Sequence, residues 1–272
     1  MVALLDEIVV LGGFDEAGRV VDRVEALDPV AGEWRSLPAL PVAMHHAQAA
    51  VIGDRIYILG FLTTANFTAD GRAFVFDAGA WRPIASLPAG KARGGGAAAV
   101  QSGRIVVVGG FRALSAVTDV DIYDPSTDAW TAGPPLPRPR DHLGAASVGD
   151  RVIAVGGREA RIPSHVAETL ILENNTWRRA SAMPTSRGGF ALAAHDGALY
   201  AIGGEGDGSM PTGVFAAVER YDVAADAWSV EEAMPDPRHG TGAATVGGMI
   251  VVPGGASRQG FAAVASCAIF RP

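Results

Sequence analysis

Histidine is the side chain whose charge changes between pH 5 and 8. Two of the six histidines in this 272-residue chain, His46 and His142, are candidates for acid–base work near neutral pH. Arg158 could hold an anionic group beside them, since a guanidinium matches a carboxylate. Gln48, Arg112 and Glu205 complete the set of candidate ligand contacts. His45-His46 with His142 and His239 could supply metal ligands, but adjacent strand residues point to opposite faces, so no metal is expected. Gly204-Glu205-Gly206-Asp207-Gly208 opens no helix and is no dinucleotide fingerprint. No serine carries a nucleophile elbow around it. No cofactor is expected.

A repeat must position these residues. Gly-Gly follows an apolar β-branched run at Gly12-Gly13, Gly109-Gly110, Gly156-Gly157, Gly203-Gly204 and Gly254-Gly255, with Gly60-Phe61 as a degenerate sixth case. The first glycines stand 48, 49, 47, 47 and 51 residues apart. Trp34, Trp81, Trp130, Trp177 and Trp228 keep the same beat, which places every tryptophan at one phase of the repeat. A period this regular marks a repeat architecture.

Within a unit the pattern predicts four short strands. An Ala/Gly-rich strand a leads through a two-residue turn (Gly53-Asp54, Ser102-Gly103, Gly149-Asp150, Asp196-Gly197, Gly247-Gly248) into an apolar strand b such as RIVVV. A variable loop follows, then a strand c ending near Tyr123-Asp124-Pro125 or Tyr221-Asp222, and the tryptophan strand d. No stretch sustains a 3.6-residue period, so almost no helix is expected. Six such units predict an all-β, six-bladed β-propeller in one domain, 1–272. The units run approximately 1–37, 44–88, 93–136, 140–184, 187–235 and 238–272.

The diglycine, Tyr123-Asp124-Pro125 and the spaced tryptophans resemble the motif of the kelch-repeat family over essentially the whole chain. The resemblance implies a kelch-type propeller and says little about activity, because the family includes ubiquitin-ligase adaptors, sialic-acid mutarotases, plant specifier proteins and a copper oxidase. In the adaptors, the residue after the diglycine and the link phase of His46 and His142 contribute to an acidic-peptide pocket. That likeness nominates His46, His142 and Arg158, while Gly95, Gly189 and Gly240 stand at three corresponding sites. The oxidase pattern requires a Tyr–Cys crosslink, which lone Cys267 in the last strand does not supply. Cys267 is expected to be a buried small hydrophobe.

In an antiparallel blade a–b–c–d, the b–c loop and the d–a link emerge on one face. The b–c loops are long and differ in every unit, so this face is the expected binding face. Along the d–a links one phase reads Met44, Arg93, Arg140, Arg187, Arg238, a recurrence that suits a structural role. Two residues on it reads His46, Gly95, His142, Gly189, Gly240, and two further Gln48, Ala97, Gly144, Ala191, Gly242. Strand alternation puts these phases on one side, where His46, Gln48 and His142 replace small residues that should crowd the channel.

Three functions remain open: a binding module, a small-molecule isomerase or mutarotase using His46 or His142, and a structural subunit. A deep polar pocket would mark the enzyme, and a shallow, wide surface the module. The partner is a small polar or anionic ligand, or a protein or peptide. The formal charge of -7 without a Lys/Arg-rich block excludes nucleic acid or an anionic membrane as the main partner. The N-terminus reads as neither a signal peptide nor a membrane span, so a cytoplasmic location is expected, although a mature secreted chain would look the same.

Two further expectations concern shape. The loop EGDGSMPTGVF (205–215) is longer than its equivalents and should overhang the mouth through Met210 and Phe215. The last blade should hold three strands, with Ser266–Phe270 unpaired at its edge and open to homodimerisation.

Overall fold

A computed structural model describes residues 1–159, 164–206 and 208–272. Blade one holds β1 (Val2–Leu4), β2 (Glu7–Phe14), β3 (Val20–Asp28) and β4 (Glu33–Leu37), and blade two β5 (Ala49–Ile52), β6 (Arg55–Thr63), β7 (Thr68–Asp77) and β8 (Ala80–Ile84). Blade three holds β9 (Ala97–Gln101), β10 (Arg104–Val108), β13 (Val120–Asp124) and β14 (Ala129–Ala132). A small hairpin, β11 (Phe111–Arg112) and β12 (Ser115–Ala116), forms its b–c loop. Blade four holds β15 (Gly144–Val148), β16 (Arg151–Val155), β17 (Thr169–Glu173) and β18 (Thr176–Ala180). Blade five holds β19 (Ala191–His195), β20 (Ala198–Ile202), β21 (Val218–Asp222) and β22 (Ala227–Val230), and blade six β23 (Ala244–Val246), β24 (Met249–Pro253) and β25 (Cys267–Phe270).

Every blade is antiparallel, in the order a–b–c–d for blades one to five and a–b–c for blade six, and the a strands neighbour one another in a closed ring: β1, β5, β9, β15, β19, β23 and back to β1. The fold is the six-bladed propeller that the repeat predicts. The described residues include no helix long and apolar enough to cross a membrane.

The seams between blades explain what recurs. Trp130 on β14 donates its indole N–H to the Ala85 carbonyl of the preceding blade's link, at 2.8 Å. The Tyr123 hydroxyl donates to Asp128 Oδ1 at 2.8 Å, and that oxygen also accepts the Ala85 N–H. Trp228, Tyr221 and Asp226 repeat the latch onto Ser181. Trp81 and Trp177 donate to Pro38 and Pro134.

The diglycine serves the next seam. At Gly109, φ is +60° and an added Cβ would lie 2.6 Å from the Arg140 carbonyl of the next link, while the Gly110 N–H donates to that carbonyl at 2.8 Å. The crowding comes from the next blade's link rather than from neighbouring inner strands.

Blade six is three-stranded, and among the described residues β25 pairs only with β24. Its seam with blade one rests on packing: Ile8 and Leu27 meet Ala244, Val246, Met249 and Val251 without a shared sheet. Cys267 is half-buried at the border of this cluster rather than fully enclosed. Trp34 finds no fourth strand of blade six to latch onto and stays 47 % exposed.

Candidate functional site

Blades two to six each deliver one antiparallel residue pair to the mouth, joining the residue after the diglycine position to the link residue just before the His46 phase. The pairs are His45 with Leu62, Gly94 with Phe111, Asp141 with Arg158, Gly188 with Glu205, and His239 with Ala256. The next link residue turns sharply. His46, Gly95, His142, Gly189 and Gly240 all have positive φ, between 50° and 67°. Their backbones hand one hydrogen bond to the next: Gly95 N–H to His46 O, His142 N–H to Gly95 O, Gly189 N–H to His142 O, and Gly240 N–H to Gly189 O, all at 2.7–2.8 Å.

Glycine prevails at this phase because the left-handed backbone favours it, and not because side chains crowd. A Cβ at Gly95, Gly189 or Gly240 would meet nothing closer than 3.6 Å. His46 and His142 therefore occupy a conformation that disfavours them, and strain of this kind collects at functional sites.

The positive φ also breaks strand alternation, so His45 and His46 stand side by side with ring centroids 4.8 Å apart, where alternation predicts opposite faces. Even so, no group of three or more His, Cys, Asp or Glu side chains among the described residues is placed to hold a metal ion.

The phases before and after diverge for the same reason. Arg93, Arg140 and Arg187 turn inward and are fully buried. Arg93 pairs with Asp121 at 2.7 Å, Arg187 with Glu219 at 2.9 Å, and Arg140 with Glu168, each inside its own blade. Burial lowers the Arg140 pKa to about 10, so it remains charged at neutral pH. Gln48 misses the mouth. It is 1 % exposed and wedged toward blade three, where a Cβ on Gly96 would lie 2.4 Å from its Nε2.

His46 and His142 meet, Nε2 to Nε2, at 3.1 Å. His46 Nδ1 faces His45 Nδ1 at 2.6 Å, and His45 Nε2 faces the Thr64 carbonyl at 3.0 Å. On the other side, His142 Nδ1 lies 2.5 Å from Asp141 Oδ1. Arg158 donates to Asp141 and to Glu205, each at 2.7 Å, and lies 3.3 Å from His142 Nε2. Its guanidinium is thus engaged by two buried carboxylates and is not free to seize an anion, as the isolated sequence suggests. Glu205 also faces His239 at 3.6 Å. Burial pushes His45 below the ordinary histidine range and His46 well below it, with the charges of His142, His45 and Arg158 adding to the shift at His46.

Aromatic rings wall the blade-one and blade-two side. Phe14 packs on His45 with centroids 4.4 Å apart and takes Phe261 edge-on at 5.0 Å. Phe67 touches His45 and His46 at 5.0 and 5.3 Å and Phe111 at 6.3 Å. Phe67 also lines a cavity of about 370 Å³ with Asn66, Ala92, Arg112 and Leu114, between the b–c loops of blades two and three. Arg112 sits there paired to Asp119 at 2.7 Å. A second cavity, of about 260 Å³, lies on the opposite face beside Gln101, Arg104 and Asp150.

The long loop of blade five leans on blade six: Gln259 N–H donates to Thr212 O at 2.8 Å. Val214 is buried, Phe215 half-buried and Met210 48 % exposed. Asp207 lies outside the described residues, as does the 160–163 stretch of the blade-four loop.

Asp141 and, except as a possible metal ligand, His45 escaped the sequence reading, as did the contacts of Phe14, Phe67 and Phe261. A signal existed for the first two: the phase before His46 reads His45, Gly94, Asp141, Gly188, His239, again polar where glycine also occurs.

A family model described as the KLHDC2/KLHL20/DRC7 Kelch-repeats domain matches residues 1–157, and the Kelch motif matches 139–184 and 186–235. The chain belongs to the kelch-repeat family. It is 34 % identical to Kelch-like protein terF of Aspergillus terreus over 92 % of this chain and 59 % of that protein. It is 24 % identical to Kelch-like protein 35 of Mus musculus, over 94 % and 43 %. Identity to Kelch-like protein 34 of Homo sapiens is 28 %, over 87 % and 38 %. The chain therefore spans about two fifths to three fifths of the length of these kelch relatives.

Proposed function

We propose that this kelch propeller is a binding module that takes an extended, partly apolar peptide segment of another protein across its b–c/d–a face. The segment runs from the cleft beside Leu114 over Phe67 to the mouth formed by His46, His142, Arg158 and Glu205. The carrying observation is an unbroken row of ring contacts on this face: Phe261 to Phe14 at 5.0 Å, Phe14 to His45 at 4.4 Å, His45 to Phe67 at 5.0 Å and Phe67 to Phe111 at 6.3 Å. Phe261 is 64 % exposed at one end, and Leu114, in the cleft beside Phe67, is 77 % exposed at the other. A contiguous, partly exposed apolar patch flanked by polar groups marks a protein-interaction surface, and here the polar mouth flanks the rings.

The acid–base alternative has less support. Asp141 orients His142 as a catalytic dyad would, but both ring nitrogens of His142 are already engaged. The cavity on this face opens beside Phe67 and Arg112, and neither His142 nor Arg158 lines it.

Selection of 12-residue peptides from a random display library on the purified chain tests the proposal. Selected peptides should lose at least tenfold in affinity for Phe67→Ala or Leu114→Glu, and nothing for Arg104→Ala on the opposite face. Peptides indifferent to the first two variants, or sensitive to the third, would overturn the assignment.

A further inference from the structure

The contacts of His45, His46 and His142 form one row with an acceptor at each end, and Arg158 branches onto His142 Nε2 at 3.3 Å with a hydrogen of its own. One end is the Thr64 carbonyl, the other the Asp141 carboxylate, which Arg158 also engages. Between them lie four contacts: Thr64 O to His45 Nε2 at 3.0 Å, His45 Nδ1 to His46 Nδ1 at 2.6 Å, His46 Nε2 to His142 Nε2 at 3.1 Å, and His142 Nδ1 to Asp141 Oδ1 at 2.5 Å. A hydrogen bond needs one hydrogen per contact, and a carbonyl and a carboxylate bring none. Three neutral imidazoles carry three hydrogens between them. Four contacts need four. With three, one contact in the row sets a lone pair against a lone pair, whichever tautomers are chosen.

From this count we infer that His45, His46 and His142 bind a single additional proton as one unit, and that the proton completes the row from Thr64 to Asp141. The charges around the row agree. Asp141 and Glu205 set two carboxylates against the one guanidinium of Arg158 among the described residues at the mouth. His239 faces Glu205, and His165 stands beside Arg158 in the blade-four loop. One proton in the row brings the Arg158, Asp141 and Glu205 group to neutrality. Burial and the neighbouring positive groups oppose that proton, holding His45 below and His46 well below the ordinary histidine range, so it is taken up only as the pH falls. Interacting sites of this closeness titrate as a group and not ring by ring.

The proton has a mechanical consequence. Thr64 lies in the b–c loop of blade two with φ of +57°, and three residues on Phe67 lines the cleft. A protonated row ties that loop to Asp141 through four hydrogen bonds, and a neutral row leaves one tie missing. Binding over Phe67 therefore tightens as the row is protonated, a coupling that rests on the peptide-binding reading above.

The test is a histidine titration of the uniformly ¹⁵N-labelled chain from pH 7.5 to 5.0, followed by imidazole ¹H–¹⁵N spectra. His45, His46 and His142 should shift with one common midpoint and account for one proton in all. In His46→Gly, which restores the residue the repeat carries at Gly95 and Gly189, His45 and His142 should titrate at two different midpoints. Separate midpoints for the three rings in the unmodified chain, or no shift of the row down to pH 5.0, would overturn the proton site. The affinity of a selected peptide should rise through the common midpoint and stay level in His46→Gly. A common midpoint with level affinity in both proteins would leave the proton site standing and overturn the peptide-binding reading.

Discussion

Two phases of the d–a link, only two residues apart, divide the labour of this molecule. Arg93, Arg140, Arg187 and Arg238 recur in four consecutive blades, and all four are buried, bound to carbonyls and, for the first three, to carboxylates of their own blade. His46 and His142 interrupt a run of glycines, hold left-handed backbone, and meet each other across the mouth. The recurring residue belongs to the frame, and on the proposed reading the exception belongs to the site. In a repeat protein every blade faces the same folding problem, so a solution that recurs answers that problem. A residue that breaks the pattern at a conformational cost answers something else.

The contrast is sharpest at the buried arginines. Arg187→Met should leave Glu219, 2 % exposed, as an uncompensated buried charge. Breaking such a pair by removing one partner costs about 3–5 kcal/mol. Denaturant unfolding should show this as a large fall in midpoint, and a midpoint within error of the unmodified chain would move Arg187 out of the frame.

A smaller effect separates two residues of the same phase. Trp130→Ala removes a ring latched onto Ala85 and should cost about 3 kcal/mol. Trp34 faces the seam where blade six lacks its fourth strand, and its replacement by Ala should cost about 0.5 kcal/mol or less. Equal losses at the two positions would mean that the seam between blades six and one is closed more tightly than packing of Ile8 and Leu27 on blade six provides.

The fold was legible in the sequence because its causes are local and repeated six times. Diglycine, two-residue turn and tryptophan each answer to backbone geometry or to one seam, and even the open edge of β25 follows from aligning Ala268-Ile269-Phe270 with strand c of blade three. The site was legible only in part. Reading departures from the repeat found His46, His142, Arg158 and Glu205, and the structure brings these four together. Gln48 failed because alternation was carried through the link, whereas positive φ at His46 rotates everything beyond it. Phe67 and Phe261 lie in loops of unequal length, where no phase can be counted, and although Phe14 follows the first diglycine, only the folded chain shows that Phe14 meets Phe261 and that Phe67 meets His46. The engagement of Arg158 by Asp141 and Glu205 depends on two neighbouring blades and has no local signature.

The division between frame and site is tested most directly by one double variant, His46→Gly with His142→Gly, measured for both melting temperature and affinity for a selected peptide. Glycine relieves the left-handed strain at φ of 50° and 52° while loosening the unfolded chain, two effects of opposite sign. The melting temperature should therefore change by no more than about 3 °C, while peptide affinity falls at least tenfold. A melting temperature lowered well beyond that range, with affinity retained, would place the two histidines in the frame and contradict the account.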